Sequence, residues 1–213
     1  MEKPLYPCKN MRITQGYNEG THLDSFAIDD AGKDTSISKI RAPYTGIIKK
    51  IYKDDANEVW LESIDKVEYP DGTKDYLTMM FAHSNDVSNL FVGKKIAQNE
   101  EFYSEGTKGN ATGNHCHFEC GKGKFTGTGW HKNSSGYYSI NNGKKPEECL
   151  WLDKEVNVIN NYKYNFKSIT EEKPVVSAPT EEKEDTKEEP IFICPKSDLY
   201  GIYLKAGQKL YLK

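Results

Sequence analysis

The 213-residue sequence has no long apolar run and no excess of basic residues. It lacks the roughly 18 consecutive apolar residues of a membrane-spanning helix, so we expect no membrane partner. The 29 Lys and Arg residues against 32 Asp and Glu residues leave a net charge of −3. Because nucleic-acid binding needs a basic surface to neutralise phosphates, we expect no nucleic-acid partner either. Residues 1–7 lack the apolar core of a secretory signal, which favours synthesis in the cytoplasm.

Cysteine is scarce and odd in number, with five residues that share no repeated spacing. A disulfide framework would need an even set in a small secreted chain, so the sequence predicts free thiols in a reducing compartment. Cys116 and Cys120 lie four residues apart, unlike the two-residue gap of a structural zinc knuckle. A structural zinc site on them is therefore a disfavoured alternative, also because strand alternation would turn Cys116 away from the histidines beside it.

The composition changes sharply near residue 168. Residues 168–190 are rich in Glu, Lys, Thr and Pro and contain no aromatic residue. Such a segment buries too little apolar surface to offset its ordering entropy, which predicts a disordered acidic linker. We therefore predict one domain at residues 1–167, the linker at 168–190 and a β-hairpin at 191–213. An isolated hairpin is only marginally stable in water, so this one should dock on the domain or on another chain.

The first domain has the pattern of a mainly β protein. Apolar runs at residues 46–52, 58–64 and 76–83 predict strands, and Tyr69-Pro70-Asp71-Gly72 predicts a turn before the third of them. Residues 156–166 alternate between apolar and polar side chains, which predicts a half-buried strand that could break near residues 160–161. A short helix is predicted at residues 145–152. The predicted fold class is a mainly β domain built on an antiparallel sheet.

Histidine is as scarce as cysteine, with five residues, but its placement is informative. His115 and His117 flank Cys116, and in a strand they would share one face. Two imidazoles on one face are costly to bury unless they bind a metal or are hydrogen-bonded. A Gly- and Thr-rich loop at residues 106–113 precedes them and allows close backbone approach. Taken alone, this pattern is equally compatible with polar residues on an exposed strand face.

Two further segments end in candidate ligands or bases. His22 is followed by a short apolar stretch and Asp29, and another apolar strand ends at His83. Together with His117, the first segment would supply two imidazole nitrogens and one carboxylate oxygen. Three protein ligands with one open position are typical of catalytic rather than structural zinc. A single histidine such as His83 is more often a rim residue, but three such segments together favour a metal site.

The order of these segments resembles that of the lysostaphin/LytM-type zinc endopeptidases. The shared pattern is a His…Asp block, an apolar strand ending in His, a Gly-rich loop and a His-x-His-Phe-Glu segment, here His115-Cys116-His117-Phe118-Glu119. Residues 12–17 resemble the family's entry strand, and Arg41-Ala42-Pro43 resembles the Ala-Pro segment that follows later in the family's sequences. The resemblance covers about residues 10–120 in a consistent order, which makes it more specific than any single motif. It implies the antiparallel β fold of that family's catalytic domain.

By position, the resemblance implies a single zinc ion and a catalytic pair of histidines. The implied Zn²⁺ ligands are His22, Asp29 and His117. The implied catalytic pair is His83 and His115, and the sequence does not decide which of the two is the general base.

Two positions raise further expectations. Tyr17 matches a tyrosine that stabilises the transition state in the family. The spacing from His22 to Asp29, with six residues between them, is longer than the family's commoner gap of three, so Asp24 is a competing ligand. Asp29 is preferred because an apolar stretch precedes it, whereas Asp24 lies in a polar segment.

Trp130 and Tyr137 lie in a region rich in Gly and aromatic residues. They are predicted substrate-binding residues that could wall a groove for a slender peptide. Incidental aromatic residues on a surface loop would explain either position equally well, and His131 beside Trp130 is read as a loop residue.

The resemblance implies a zinc-dependent endopeptidase that hydrolyses peptide bonds in bacterial peptidoglycan. A catalytic domain, a linker and a short terminal segment without a secretory signal suit a phage or prophage endolysin. Such a protein is made in the bacterial cytoplasm and reaches the cell wall after holin-type release. The C-terminal hairpin would then serve wall binding or self-association. The alternative, a non-catalytic relative with a wall-binding or regulatory role, is disfavoured because all five residues of the implied site are present.

Overall fold

The computed structural model describes residues 1–53 and 55–169, together with the backbone of residues 192–193 and 209–210. By its contacts the chain divides into two units, Met1–Thr170 and Glu171–Lys213. In the second unit, strand Phe192–Ile193 pairs antiparallel with strand Lys209–Leu210, and the rest of the predicted linker and hairpin lies almost wholly outside the described residues. Within the described residues, no helix is long and apolar enough to span a bilayer.

The first unit is built from short strands. In chain order, the first ten are β1 (Asn10–Gln15), β2 (Ile28–Asp30), β3 (Lys39–Arg41), β4 (Gly46–Tyr52), β5 (Glu58–Ser63), β6 (Val67–Glu68), β7 (Lys74–Asp75), β8 (Leu77–Ala82), β9 (Lys95–Ile96) and β10 (Glu101–Ser104). The next seven are β11 (Cys116–Lys122), β12 (Trp130–Lys132), β13 (Tyr138–Ile140), β14 (Gly143–Lys144), β15 (Trp151–Leu152), β16 (Asn157–Asn160) and β17 (Lys167–Ser168). Among the described residues, helix is confined to one 3-10 turn, Gly20–His22, and to α1 (Pro146–Cys149). The predicted mainly β fold class is confirmed.

One sheet dominates the unit. Its strand order is β16-β1-β2-β11-β8-β5-β4-β9, with β14 also paired to β11. The pairs are antiparallel except for β16, which runs parallel to β1. The apolar runs that predict strands correspond to β4, β5 and β8. Strand β11 lies between β2 and β8, so its side chains have a neighbouring strand on both sides.

Strand β11 separates a polar face of the sheet from the apolar core. Cys116, Phe118 and Cys120 point to one face, where they are fully buried in the main hydrophobic cluster. Because strand side chains alternate, His117 and Glu119 point to the opposite face. The strand is therefore anchored by apolar burial on one side while it presents titratable groups on the other.

The described cysteines form no disulfide and are all buried. They are Cys8, Cys116, Cys120 and Cys149. Burial raises the pKa of the Cys116 and Cys120 thiols well above the ordinary value, which makes them poor metal ligands and nucleophiles. Cys116 faces the core, so the alternative of a structural zinc site on this residue is not formed.

The segment 156–166 departs from the prediction of one half-buried strand. Only Asn157–Asn160 is a strand, and all of its residues are exposed. Residues 161–164 form a turn in which Tyr162 and Lys163 have φ values of 54° and 66°. The alternating pattern instead reflects tyrosines of the turn, which pack against the core. The predicted helix at 145–152 is shortened to α1, because Trp151–Leu152 pairs with β17.

The beginning and the end of the first unit are joined by backbone and side-chain bonds. In the parallel pair of β1 and β16, Asn10 lies opposite Asn157. The buried guanidinium of Arg41 donates two hydrogen bonds to the carboxylate of Asp153, at 2.7 and 3.0 Å. A buried bidentate pair of this kind is geometrically specific, so it locks the late segment against the early strands.

Candidate metal centre and cavity

Three titratable residues converge on the polar face of the sheet. His117 and Asp29 lie directly opposite each other on β11 and β2, and His22 reaches them from the 3-10 turn. One possible ligand atom from each residue lies within 4.8 Å of the other two. The carboxylate oxygen Oδ1 of Asp29 is 3.0 Å from Nδ1 of His117 and 3.4 Å from Nε2 of His22. The structure thus brings together the three residues that the resemblance implies as ligands.

Each of the two clustered histidines is oriented by a second partner. The Nδ1–H of His22 donates to the carbonyl of Gly16 at 3.0 Å, because a carbonyl can only accept. On His117, Nε2 lies 3.3 Å from Oε1 of Glu119. The other Glu119 oxygen accepts hydrogen bonds from the Ser139 hydroxyl at 2.6 Å and a backbone N–H at 3.1 Å. Partners of this kind fix the tautomer and ring orientation of metal-binding histidines.

The cluster is strongly coupled electrostatically. Burial opposes protonation of His117, but its hydrogen bonds with Asp29 and Glu119 outweigh burial and raise its pKa to about 10. Burial would likewise raise the pKa of Asp29, but its hydrogen bonds with His117 and His22 hold that pKa well below its usual range. Without a metal, a protonated His117 therefore faces an ionised Asp29, and a bound cation would take the place of that proton.

The donor set suits a zinc ion. Zn²⁺ accepts imidazole nitrogen and carboxylate oxygen, and catalytic sites use three protein ligands. His22 and Asp29 have side chains only 3% and 13% exposed, so the ligands are largely shielded from water. This His/Asp/His cluster is the only such group among the described residues.

Two more histidines lie beside the cluster. His83 follows the last residue of β8 and has a φ of 83°, a left-handed conformation that is uncommon for a non-glycine residue. Its ring centre is 4.5 Å from that of His115 and 5.8 Å from that of His117. Nε2 of His115 lies 3.7 Å from Oδ1 of Asp29. The structure therefore brings the implied catalytic pair to the edge of the candidate metal centre.

Both histidines of this pair are held through Nδ1 by loop carbonyls. Nδ1 of His83 lies 2.7 Å from the carbonyl of Lys108, and Nδ1 of His115 lies 2.9 Å from that of Gly113. Each Nδ1 must carry the hydrogen, which leaves Nε2 with a lone pair. Burial, followed by repulsion from His117, lowers the pKa of His83 to about 4. His83 is accordingly neutral at pH 7.

A cavity of about 220 Å³ opens over the cluster. Its walls include all three cluster residues and His83, and no Lys or Arg of the described residues lines it. Its carboxylates are those of Asp29, Asp55, Glu58 and Glu119. The buried Oε2 of Glu58 has no hydrogen-bond partner within the part of the chain that the structure describes, and burial raises the pKa of this residue to about 7. A cavity with this lining favours cations over anions.

Tyr17 lies apart from the cavity. Its hydroxyl donates to Oε1 of Glu147 at 2.7 Å, and its ring stacks on that of Tyr164 with centres 4.4 Å apart. Burial and the bond to Glu147 raise the pKa of Tyr17 well above its usual range. Among the described residues, the hydroxyl has no contact with the histidines, so the structure does not bring Tyr17 to the cluster.

The two predicted substrate-binding aromatics differ in position. Tyr137 lines the cavity, and its hydroxyl accepts a hydrogen bond from the Asn110 side chain at 3.0 Å. Trp130 does not line the cavity but packs between Tyr52, at 4.0 Å between ring centres, and Tyr138, at 5.0 Å. Tyr138 itself lines the cavity. Trp130 thus supports the wall from behind, because its ring belongs to the aromatic cluster around Trp60.

The competing ligand Asp24 points away from the cluster. Asp24 is exposed, and its carboxylate accepts a hydrogen bond from the Ser134 hydroxyl. Its φ of 58° places it in a left-handed turn, which directs the chain back toward Asp29 on β2. Of the apolar stretch before Asp29, only Ile28 lies in strand β2.

Glu119 is a site residue that the motif contains but to which the sequence assigned no role. It is 1% exposed and is satisfied by His117, Ser139 and a backbone N–H. Its position two residues after His117 places it on the same strand face, and that signal was available. Glu58 carried no such signal, because its approach depends on the pairing of β5 with β8.

No protein-family model matches the chain. Among solved structures, the chain is similar to a zinc-containing peptidase from Vibrio cholerae, with 17% identity and a TM-score of 0.43 over 57% of this chain and 37% of that chain. It is similar to a mutant catalytic domain of the prophage-encoded protein EnpA from Enterococcus faecalis, with 20% identity and a TM-score of 0.42 over 58% and 92% of the two chains. For lysostaphin from Staphylococcus simulans the values are 16%, 0.44, 64% and 64%. At these values the similarities carry no argument, so the function is argued from the site itself.

Proposed function

We propose that this protein is a zinc-dependent endopeptidase that hydrolyses peptide bonds in bacterial peptidoglycan. One observation carries the proposal: a three-ligand His/Asp/His cluster lines one cavity together with His83, and the ring of His115 lies 4.5 Å from that of His83. A structural metal site would use four protein ligands and would need neither the pair nor the opening. The combination is that of a hydrolytic site.

His22, Asp29 and His117 would hold the zinc ion. When bound, such an ion supplies Lewis acidity, which activates water at neutral pH and polarises a carbonyl oxygen. Glu119 orients His117 and the Gly16 carbonyl orients His22, so the ligands are set before any substrate arrives. These hydrogen bonds limit the movement of the two imidazoles.

The histidine pair would move protons. Each imidazole keeps Nε2 free because Nδ1 donates to a loop carbonyl. The neutral imidazole can accept the proton of the attacking water and return it to the leaving amine. His83 is neutral at pH 7 because its pKa is lowered to about 4, and His115 lies closer to Asp29. The two rings are close enough to share this work.

Peptidoglycan as the substrate class is supported by the sequence resemblance, and the cavity of about 220 Å³ would take part of a slender peptide. The proposal extends to an endolysin role, with synthesis in the bacterial cytoplasm, holin-type release and lysis from a phage or prophage. It extends also to the C-terminal hairpin as a wall-binding or self-associating element. No observation on the site favours the alternative of a non-catalytic wall-binding or regulatory module.

The test is release of new amino groups from purified cell walls of several chemotypes. Wild-type protein should release them, a chelator should abolish release and zinc should restore it. His115→Ala should be inactive, whereas His131→Ala is the matched control, because His131 is an exposed residue bonded to Asn141 rather than to the cluster. Absence of chelator-sensitive release from every wall type, or full activity of His115→Ala, would contradict the proposal. Mass spectrometry of the digest would then identify the bond that is cut.

A further inference from the structure

His22 differs from the other two cluster residues in how the chain supports it. Asp29 and His117 belong to paired strands of the main sheet, whereas His22 ends a single 3-10 turn, Gly20–His22. That turn has no capping side-chain bond at its start. A lone turn of this kind is a weak support for a metal ligand, so other contacts must position it.

The support begins with the residues just before the turn. The carbonyl of Gly16 accepts the Nδ1–H of His22 at 3.0 Å, and the N–H of Gly16 donates to Oε1 of Glu19 at 2.8 Å. The backbone N–H of His22 donates to the Glu19 carbonyl at 2.7 Å. The segment therefore closes on itself, with Glu19 and Gly16 on either side of the imidazole.

A second segment, which carries Tyr162 and Tyr164, contacts this one from much later in the chain. The Tyr162 hydroxyl donates to the Glu19 carboxylate, and the Tyr164 hydroxyl accepts the backbone N–H of Tyr17 at 3.1 Å. A Cβ atom added to Gly16 would lie 2.9 Å from the ring of Tyr162 and would also clash with the Tyr164 hydroxyl. Only glycine fits there, so the two tyrosines lie directly on the peptide whose carbonyl holds His22.

The turn that carries these tyrosines is itself sterically strained. Tyr162 and Lys163 are consecutive non-glycine residues with φ values of 54° and 66°. Their N–H groups donate to the side chains of Asn160 and Asn161, at 3.0 and 3.1 Å. The Asn160 amide donates in turn to the carbonyl of Ile13 at 2.8 Å. Such conformations persist only where surrounding contacts over-determine them, and they cluster at functional sites.

We infer that Tyr162 and Tyr164 are positioning residues for His22. They hold the Gly16 carbonyl in place, which keeps the hydrogen of His22 on Nδ1 and directs Nε2 toward Asp29. The inference rests on the proposed zinc site and assigns a role to residues outside the segment that resembles the endopeptidases. Loss of an outer partner typically weakens metal affinity 10- to 100-fold.

The experiment measures zinc affinity of the full-length chain by competition with a chromogenic chelator. The variants are Tyr162→Phe, Tyr164→Phe and their double variant, with Tyr76→Phe as a control on a tyrosine of the β7–β8 edge. Tyr162→Phe removes a donor to Glu19, and Tyr164→Phe removes an acceptor for Tyr17. We expect the double variant to raise Kd about 10- to 100-fold, and Tyr76→Phe to leave it unchanged.

A spectroscopic readout separates positioning from general stability. In the cobalt-substituted protein, the double variant should change the visible ligand-field bands, which report ligand geometry, while metal-free wild type and variant unfold at similar urea midpoints. If the double variant is poorly folded, Glu19→Ala removes the carboxylate that accepts from the Tyr162 hydroxyl. Unchanged Kd and bands in the folded double variant, or in Glu19→Ala where the double variant does not fold, would overturn the inference.

Failure of the inference and failure of the proposed function are distinguishable. If the tyrosine substitutions weaken zinc binding but the protein does not cleave cell walls, the inference is supported and the peptidase proposal is contradicted. If the protein cleaves cell walls but its zinc affinity is unchanged in both tyrosine variants, the peptidase proposal is supported and the inference is contradicted. A wild-type chain that binds no zinc would overturn both.

Discussion

The His/Asp/His cluster and the histidine pair lie side by side but are built differently. In the cluster, Asp29 and His117 face each other across paired strands, and His117 has a side-chain partner at both ring nitrogens. His83 and His115 are each bonded at one nitrogen, by the carbonyls of residues 108 and 113. Two of the three cluster residues are held by strand register, whereas the histidine pair is held by loop carbonyls.

The difference separates two tasks. A metal ligand must keep its geometry, so it benefits from rigid strands and a full set of hydrogen bonds. A group that accepts and returns a proton needs a free nitrogen and small movements, which a loop carbonyl permits. The comparison therefore predicts that metal binding and proton transfer can be lost independently.

The largest effects are expected from two alanine substitutions, one in the metal cluster (His117) and one in the histidine pair (His115). His117→Ala removes a ligand and should abolish zinc binding and wall hydrolysis together. His115→Ala should keep zinc at near-stoichiometric content and lose activity by roughly 10²- to 10⁴-fold. Metal content by atomic emission, measured beside hydrolysis, checks both. If His115→Ala lost its metal as well, the separation of the two tasks would be wrong.

A tenfold or greater effect on the cluster alone is expected from Glu119→Gln. The amide cannot accept the Nε2–H of His117 as strongly as a carboxylate, so zinc Kd should rise about 10- to 100-fold. Glu58→Gln is the matched variant, because Glu58 lines the same cavity but has no hydrogen bond to the cluster. Its Kd should stay within about twofold of wild type. Equal losses in both variants would show that cavity charge, rather than orientation, sets affinity.

A smaller effect, on pH-dependent stability, is expected for the segment that pairs with His115. Glu105 is fully buried next to Gly106, whose backbone pairs with that of His115. Burial raises the pKa of Glu105 to about 7, above its unfolded value, so its contribution to stability is full at low pH and is lost as pH rises through 7. Glu105→Gln should reduce the difference in the free energy of unfolding between pH 4.5 and pH 8 by about 2 kcal/mol. Urea unfolding at both pH values measures it.

Glu105→Gln keeps an acceptor for the backbone N–H of Ser38, which donates to the Glu105 carboxylate at 3.1 Å. Asp30, whose pKa burial raises to about 6, is retained in the variant and keeps its own pH dependence. A variant with the same pH dependence as wild type would mean that Glu105 is not the responsible group.

The smallest effect should come from the cavity wall. Tyr137→Ala should raise the KM for a wall-derived peptide about three- to tenfold, equivalent to about 1 kcal/mol, with kcat and zinc content unchanged. Trp130→Ala should instead lower unfolding stability by about 2 kcal/mol and leave KM near wild type, because Trp130 packs behind the wall. A KM effect from Trp130→Ala alone would reverse the two assignments.

The sequence predicts the mainly β fold class, whereas the roles assigned to the site residues stay predictions. Local apolar runs indicate the strand that carries Asp29 and the strand that ends just before His83. Strand alternation correctly turns Cys116 into the core. These features depend on neighbours in the sequence, so the pattern contains them.

Features that depend on distant partners could not be predicted. Tyr17 matches a family position, yet its hydroxyl is bonded to Glu147, and no local pattern indicates that contact. Trp130 reads as a surface aromatic until its packing against Tyr52 is known. The alternation over residues 156–166 fits a strand throughout, but the strand ends at Asn160 and two left-handed residues, Tyr162 and Lys163, form a turn.

The parallel pairing of β1 with β16 has a consequence for synthesis. Strand β1 carries the chain into the segment of His22, but its partner Asn157–Asn160 and the tyrosine turn that follows are made more than 140 residues later. A ribosome adds roughly 5–20 residues per second. The three ligand residues are therefore synthesised several seconds before the tyrosine turn that supports His22. We expect the growing chain to bind zinc weakly until that turn emerges, so that its maturation is timed by translation.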